Sequence, residues 1–148
     1  MILDVYETFN NGQYAEAYCA AETRRIYLLE DKPVPAGPYK LEAHVVKHGP
    51  LKGYQTFALV NPELGVFHEP GDASRYMGPH PIRIACLFVH PGNWLRDTEG
   101  CFLAGLEKNV PALGETPNLG YSDTACKSVL GLLRPGDTVF IHQIGGLA

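Results

Sequence analysis

Nowhere in the 148 residues does an apolar run approach the length of about 18 residues that a membrane-crossing helix needs. The opening residues, Met1-Ile2-Leu3-Asp4-Val5-Tyr6-Glu7, lack the basic start and apolar stretch of a secretory signal, so a soluble product without a membrane span is expected. Basic charge is scarce: 12 Lys and Arg stand against 16 Asp and Glu, a formal net charge of −4. Neutralising phosphates takes clustered Lys and Arg, and the one basic doublet, Arg24-Arg25, falls short, so no nucleic-acid partner is expected. Cysteine is sparse too. Cys19, Cys86, Cys101 and Cys126 are irregularly spaced with no C-x-x-C pair, which argues against a zinc ribbon or a disulfide framework and for reduced thiols. Internal repeats and low-complexity tracts are missing as well, so residues 1–148 are expected to form one domain with no cofactor called for.

What the chain does have is turns. Its 16 glycines and 12 prolines, with 45% hydrophobic and 19% charged residues, point to a β-rich globular fold with a core of its own. Ile2 to Phe9 alternates as a strand, and Asn10-Asn11-Gly12 is a hairpin turn because Asn and Gly tolerate positive φ. Tyr14 to Cys19 and Arg25 to Leu29 read as the next strands. Ala20-Ala21-Glu22-Thr23 between them is open to a strand or a short helix. Pro33, Pro35 and Pro38 remove amide donors, so residues 29–38 are expected to be a loop and not a central strand.

Tyr39 to Lys47 and Tyr54 to Val60 pair as strands around the His48-Gly49-Pro50 turn, with His44 and His48 facing solvent or satisfied in the core. Residues 65–81 read as a long loop, either the wall or lid of a site or a plain crossing connection. Ile82 to Val89 is expected to be a buried strand, with Cys86, like Cys126, a buried small hydrophobe. Near the C-terminus Ala125, Cys126, Val129, Leu130 and Leu133 recur at helical spacing, which predicts an amphipathic helix over about residues 122–134 with Ser122 as its N-cap. Arg134-Pro135-Gly136-Asp137 turns the chain into a last strand, Thr138 to Ile144, with His142 pointing outward. About seven to nine strands and one helix make a mainly β domain, a sandwich or an open barrel-like sheet.

Chemistry concentrates in one stretch, Val89-His90-Pro91-Gly92-Asn93-Trp94-Leu95-Arg96-Asp97-Thr98-Glu99-Gly100-Cys101. Apolar runs flank it, so two strands joined by a loop would carry a histidine and a cysteine at the loop's mouth. An isolated thiol, with a pKa of about 8.5, is a weak nucleophile at neutral pH, and a neighbouring imidazole activates it. Cys101 is therefore the candidate nucleophile and His90 its base, and Gly100 would let its own amide and that of Cys101 face a developing oxyanion. Gly92, Asn93, Asp97 and Thr98 would shape the loop.

His90-Pro91-Gly92-Asn93 followed by Asp97-Thr98-Glu99-Gly100-Cys101 resembles the signature of an uncharacterised bacteriophage and prophage family. Leu29-Glu30-Asp31 and Pro35-Ala36-Gly37-Pro38-Tyr39-Lys40 are similar to further blocks of that family in the same order. The resemblance implies a phage origin, in a virion or in the infected host's cytoplasm. Thr98-Glu99-Gly100-Cys101 is also similar to the Ser/Thr-x-Gly-Cys block of the L,D-transpeptidases, cysteine enzymes of peptidoglycan, with His90 resembling their base. That resemblance implies a β architecture, acyl transfer on stem peptides, and a base anchored on a backbone carbonyl, here that of Pro91. Pro91 interrupts the family's His-Gly step, the His-to-Cys interval is shorter, and Phe102-Leu103 stand where those enzymes carry an arginine. Arg83 or Arg96 would have to take that arginine's place in binding substrate, with Trp94 as a further substrate-binding residue.

Two other readings compete. The loop could be structural, with Gly92 and Gly100 at positive φ, Cys101 a buried thiol and exposed Trp94 a contact for other phage proteins. His80, Cys86, His90 and Cys101 could converge on zinc, but they form no ligand pair of recognised spacing, and strict alternation sends Cys86 and His90 to one strand face, so no metal is expected.

Overall fold

The computed structural model describes residues 1–98, 101–109 and 115–144. The chain opens with three antiparallel strands, β1 (Ile2–Asn10), β2 (Tyr14–Ala21) and β3 (Arg24–Asp31). Asn11-Gly12-Gln13 makes the first turn, with Gly12 at φ +82°. The alanines at 20 and 21 finish β2 and seed no helix; Glu22 and Thr23, with Glu22 at φ +59°, form a two-residue hairpin turn. β4 (Gly37–Val45) and β5 (Gln55–Val60) follow as a second antiparallel pair. Pro38 lies inside β4 opposite Phe140, so the proline-rich connection is shorter than expected.

β6 (Val66–Phe67) pairs with β7 (Arg83–Ile84) to fold the long connection back on itself, and β8 (Leu87–Phe88) comes next. The expected strand over 82–89 is thus two short pieces, broken at Ala85 with φ +52°, and Ile82 and Ile84 are exposed. β9 (Phe102–Gly105), β10 (Glu107–Asn109) and β11 (Asn118–Gly120) lead into α1 (Ser122–Leu132), and β12 (Thr138–Gln143) completes the set.

Eight strands form one sheet in the order β8-β5-β4-β12-β1-β2-β3-β9. It is mainly β and nearly closed, a barrel-like sheet and not a sandwich. Its two edge strands meet at one point, where the His90 amide donates to the Phe102 carbonyl at 3.1 Å and His90 bridges Leu103. Phe88 and Phe102, one from each edge, pack edge-to-face across this seam with centroids 5.4 Å apart, a contact of about 0.5–1.5 kcal/mol beyond its burial. The helix lays Ala125, Cys126 and Val129 on the interior cluster beside β9, and no helix is long and apolar enough to cross a membrane among the described residues.

Alternation sorts each strand, with Val5, Cys19, Ile26, Leu28, Tyr39 and Leu41 filling the interior. His142 does face outward, stacked against Tyr6 and Phe140 and hydrogen-bonded to Asp4 at 2.8 Å. The interior also holds two carboxyls. Glu7 and Glu30 are 2% and 0% exposed; Asn10 and Gln143 donate to Glu7 Oε1, and the Val34 amide donates to Glu30 Oε1. Their Oε2 atoms have no hydrogen-bond partner among the described residues, and burial, with the neighbouring Glu7, pushes the Glu30 pKa well above the usual carboxylate range.

Candidate functional site

The site stands on a slip in the alternation of the seam. Cys86 and Phe88 point inward and Leu87 outward, so strict alternation would turn His90 inward. Instead Val89 adopts φ +60°, an uncommon backbone for a β-branched residue, and joins the interior cluster directly after Phe88. His90 is thereby shifted to the outer side, where it lines a cavity with Leu87 and Cys101. The expectation that Cys86 and His90 share a face is overturned. Thr56 holds the slip in place: its buried hydroxyl lies 2.8 Å from the Phe88 carbonyl and 2.7 Å from that of Val89.

His90 is 4% exposed, and both ring nitrogens are engaged. Nδ1 lies 3.0 Å from the Pro91 carbonyl, which can only accept, so Nδ1 carries the proton. Nε2 then presents its lone pair to Thr98 Oγ1 at 3.2 Å. Burial lowers the His90 pKa, partly opposed by the Pro91 bond and the Asp97 charge, so the ring rests neutral near pH 7.

Thr98, 6% exposed, joins the two candidate reacting residues. Its Oγ1 accepts from the Cys101 amide at 3.1 Å, and its hydroxyl proton can go to the Cys101 carbonyl, at 3.1 Å, or to His90 Nε2. The Cys101 amide is therefore occupied by Thr98 and not turned to an oxyanion; Gly100 lies outside the described residues. Cys101 is 9% exposed, packed with Ala58 and Leu87 outside the barrel wall.

Residues 92–97 of the loop are held by specific hydrogen bonds. Asp97 Oδ2 receives the amides of Asn93 and Trp94, each at 3.0 Å, and the Leu119 amide donates to the Asn93 carbonyl at 2.7 Å. Gly92 is not at positive φ, contrary to expectation; it is required for space, since a Cβ there would sit 2.8 Å from Leu103 Cδ2 and 2.9 Å from Asp97 Cβ. Its amide donates to Ser122 Oγ at 3.0 Å. That bond corrects the helix N-cap: Tyr121, at φ +55°, precedes the helix, and Ser122 anchors the histidine loop.

The cavity holding His90, Thr98 and Cys101 has a volume of about 620 Å³. Its far wall comes from the β4–β5 connection, with Val46, His48, Pro50 and Leu51, and not from residues 65–81. No local signal marks those four; only the pairing of β4 with β5 carries their connection to the seam. Arg96 lines the cavity and stacks on Trp94 at 5.0 Å, while Trp94 itself stays on the surface at 40% exposure. Arg83 is elsewhere, its charge acting on Glu30 and Cys86 in the interior, so of the two arginines only Arg96 reaches the cavity. Among the described residues no group of three or more His, Cys, Asp or Glu is placed to hold a metal ion, and the set His80, Cys86, His90 and Cys101 does not converge. Comparison of the chain with protein-family models, curated proteins and solved structures found no match.

Proposed function

We infer that the protein is a cysteine acyl-transfer enzyme, with Cys101 as nucleophile and His90 as general base, acting on a peptide of the peptidoglycan type. The observation that carries this reading is the common cavity: a neutral imidazole fixed by its Nδ1 proton and a thiol-bearing residue open on the same 620 Å³ space, joined through Thr98. His90 Nε2 takes the Cys101 thiol proton as the sulfur bonds to the substrate carbonyl carbon. The same proton then passes to the departing amine as the C–N bond breaks, leaving a thioester that water or a second amine resolves. Arg96 at the cavity edge suits a carboxylate on the substrate. The likeness of residues 98–101 to the L,D-transpeptidase block supports the substrate class, and the likeness of residues 90–101 to a phage family supports action during infection, from a virion or within the host.

A second reading, a non-catalytic phage protein that binds other virion components, is favoured by the low exposure of Cys101 and by the Thr98 hydroxyl occupying His90 Nε2. Incubation with purified sacculi separates the two. Wild-type protein is expected to release or exchange stem-peptide fragments, with loss of at least a hundredfold in Cys101→Ser and His90→Ala. Because burial lowers the His90 pKa, the general-base contribution should persist to lower pH than an ordinary imidazole allows. Equal product from Cys101→Ser would refute Cys101 as the nucleophile, and absence of any peptide product would leave the non-catalytic reading standing.

A further inference from the structure

A second pair of chemically capable side chains lies apart from the His90–Cys101 cavity. His44, on β4, and His68, in the residue after β6, bring their rings together with Nδ1 of the first 2.9 Å from Nε2 of the second. The ring centroids are 5.1 Å apart and tilted by 59°, so the contact is nitrogen to nitrogen and not ring stacking. His68 has its other nitrogen, Nδ1, 3.7 Å from Glu42 Oε1, and its side chain is only 14% exposed. A carboxylate on that side favours the tautomer with the proton on Nδ1, which leaves the Nε2 lone pair aimed at His44. At this distance Glu42 acts as a nearby negative charge and not as a hydrogen-bond acceptor.

We propose that His44 and His68 form a binding site for one divalent ion of the copper or nickel class, bound by His44 Nδ1 and His68 Nε2, with water completing its coordination. Two imidazole nitrogens brought this close, with water filling the remaining positions, suit the divalent first-row ions that hold imidazole well, and the order of affinities favours nickel and copper. The ion replaces the hydrogen bond between the rings, and the His44 proton shifts from Nδ1 to Nε2, so both rings coordinate as neutral imidazoles with no net loss of a proton. The bound ion ties β4 to the connection that follows β6, two segments 24 residues apart in the chain.

Titration of the full chain with Ni(II) at pH 7.5, followed by calorimetry, tests this. One tight equivalent is expected, with its affinity reduced at least tenfold in His44→Asn and in His68→Asn and retained in His80→Asn. Since either variant could disturb β4, the wild-type protein supplies a second readout: the histidine ring signals of residues 44 and 68 should be the first broadened by substoichiometric Ni(II) in nuclear magnetic resonance. Isotherms that are the same in all four proteins, broadening centred on other histidines, or tighter binding of Zn(II) than of Ni(II) would each overturn the assignment.

Discussion

Replacing Thr56 by valine tests the physical basis of the seam. The substitution keeps the shape of a side chain that is 4% exposed and removes only the hydroxyl, which lies 2.8 Å from the Phe88 carbonyl and 2.7 Å from the Val89 carbonyl. One hydroxyl proton serves both acceptors, so the loss amounts to one good hydrogen bond, about 0.5–1.5 kcal/mol. To this is added the penalty of a buried carbonyl left without a donor, about 1–3 kcal/mol. The backbone it holds is itself costly, since a valine at φ +60° stores about 1–3 kcal/mol of strain. Thr56→Val is therefore expected to lower stability by about 2–3 kcal/mol, which for a domain of this size lowers Tm by about 4–12 °C.

Urea denaturation with the slope unchanged measures the effect. Thr56→Ser, which keeps the hydroxyl and gives up one methyl, should lose only about 1 kcal/mol. With the hydroxyl gone Val89 is free to return to regular alternation, which would turn His90 inward, so peptide release should fall by more than the folded fraction does. A Thr56→Val protein within about 0.5 kcal/mol of wild type, or a Thr56→Ser protein equally destabilised, would refute the argument that this hydroxyl holds the slip.

Gly92→Ala is expected to cost about 1–3 kcal/mol by overpacking, because its Cβ would press on both Leu103 and Asp97; an unchanged urea midpoint would show that the loop yields freely. Burial and the facing Glu7 push the Glu30 pKa well above the usual carboxylate range, so the folded protein keeps a proton that the unfolded chain gives up. Stability should thus decline as pH rises from the unfolded glutamate value, about 4.3, toward the folded one. Glu30→Gln can still accept from the Val34 amide and can donate to Glu7, so it should flatten that decline and be the more stable protein at pH 8. Parallel urea midpoints across pH for the two proteins would contradict a buried proton held on Glu30.

The seam explains why one loop gathers so many unusual features. A barrel-like sheet that nearly closes leaves two edges to be managed, and here β8 and β9 meet at a single bridge beside His90. The strain at Val89, the tight packing of Gly92 and the anchoring of that loop on Ser122 all serve the same few residues. Both candidate reacting residues therefore sit on the closure of the fold, and changes that loosen the closure should reach the cavity.

Much of the architecture was written in local order. Period-two alternation and an Asn-Gly turn specify β1 and β2, and helical spacing of Ala125, Cys126 and Val129 specifies α1, because these signals act between residues a few positions apart. The loop carrying His90, Asp97, Thr98 and Cys101 was legible for the same reason: its turn residues and flanking apolar runs are contiguous. Tertiary structure decided the rest. Alternation alone turns His90 toward the interior, and only Thr56, more than thirty residues away in the chain, makes the opposite orientation affordable. The cavity wall at Val46, His48, Pro50 and Leu51 and the anchor at Ser122 likewise arise from pairings across the fold. A local pattern encodes which backbone is cheapest for a segment by itself; whether a strained alternative is adopted depends on distant groups that repay the strain, and those come together only when the sheet closes.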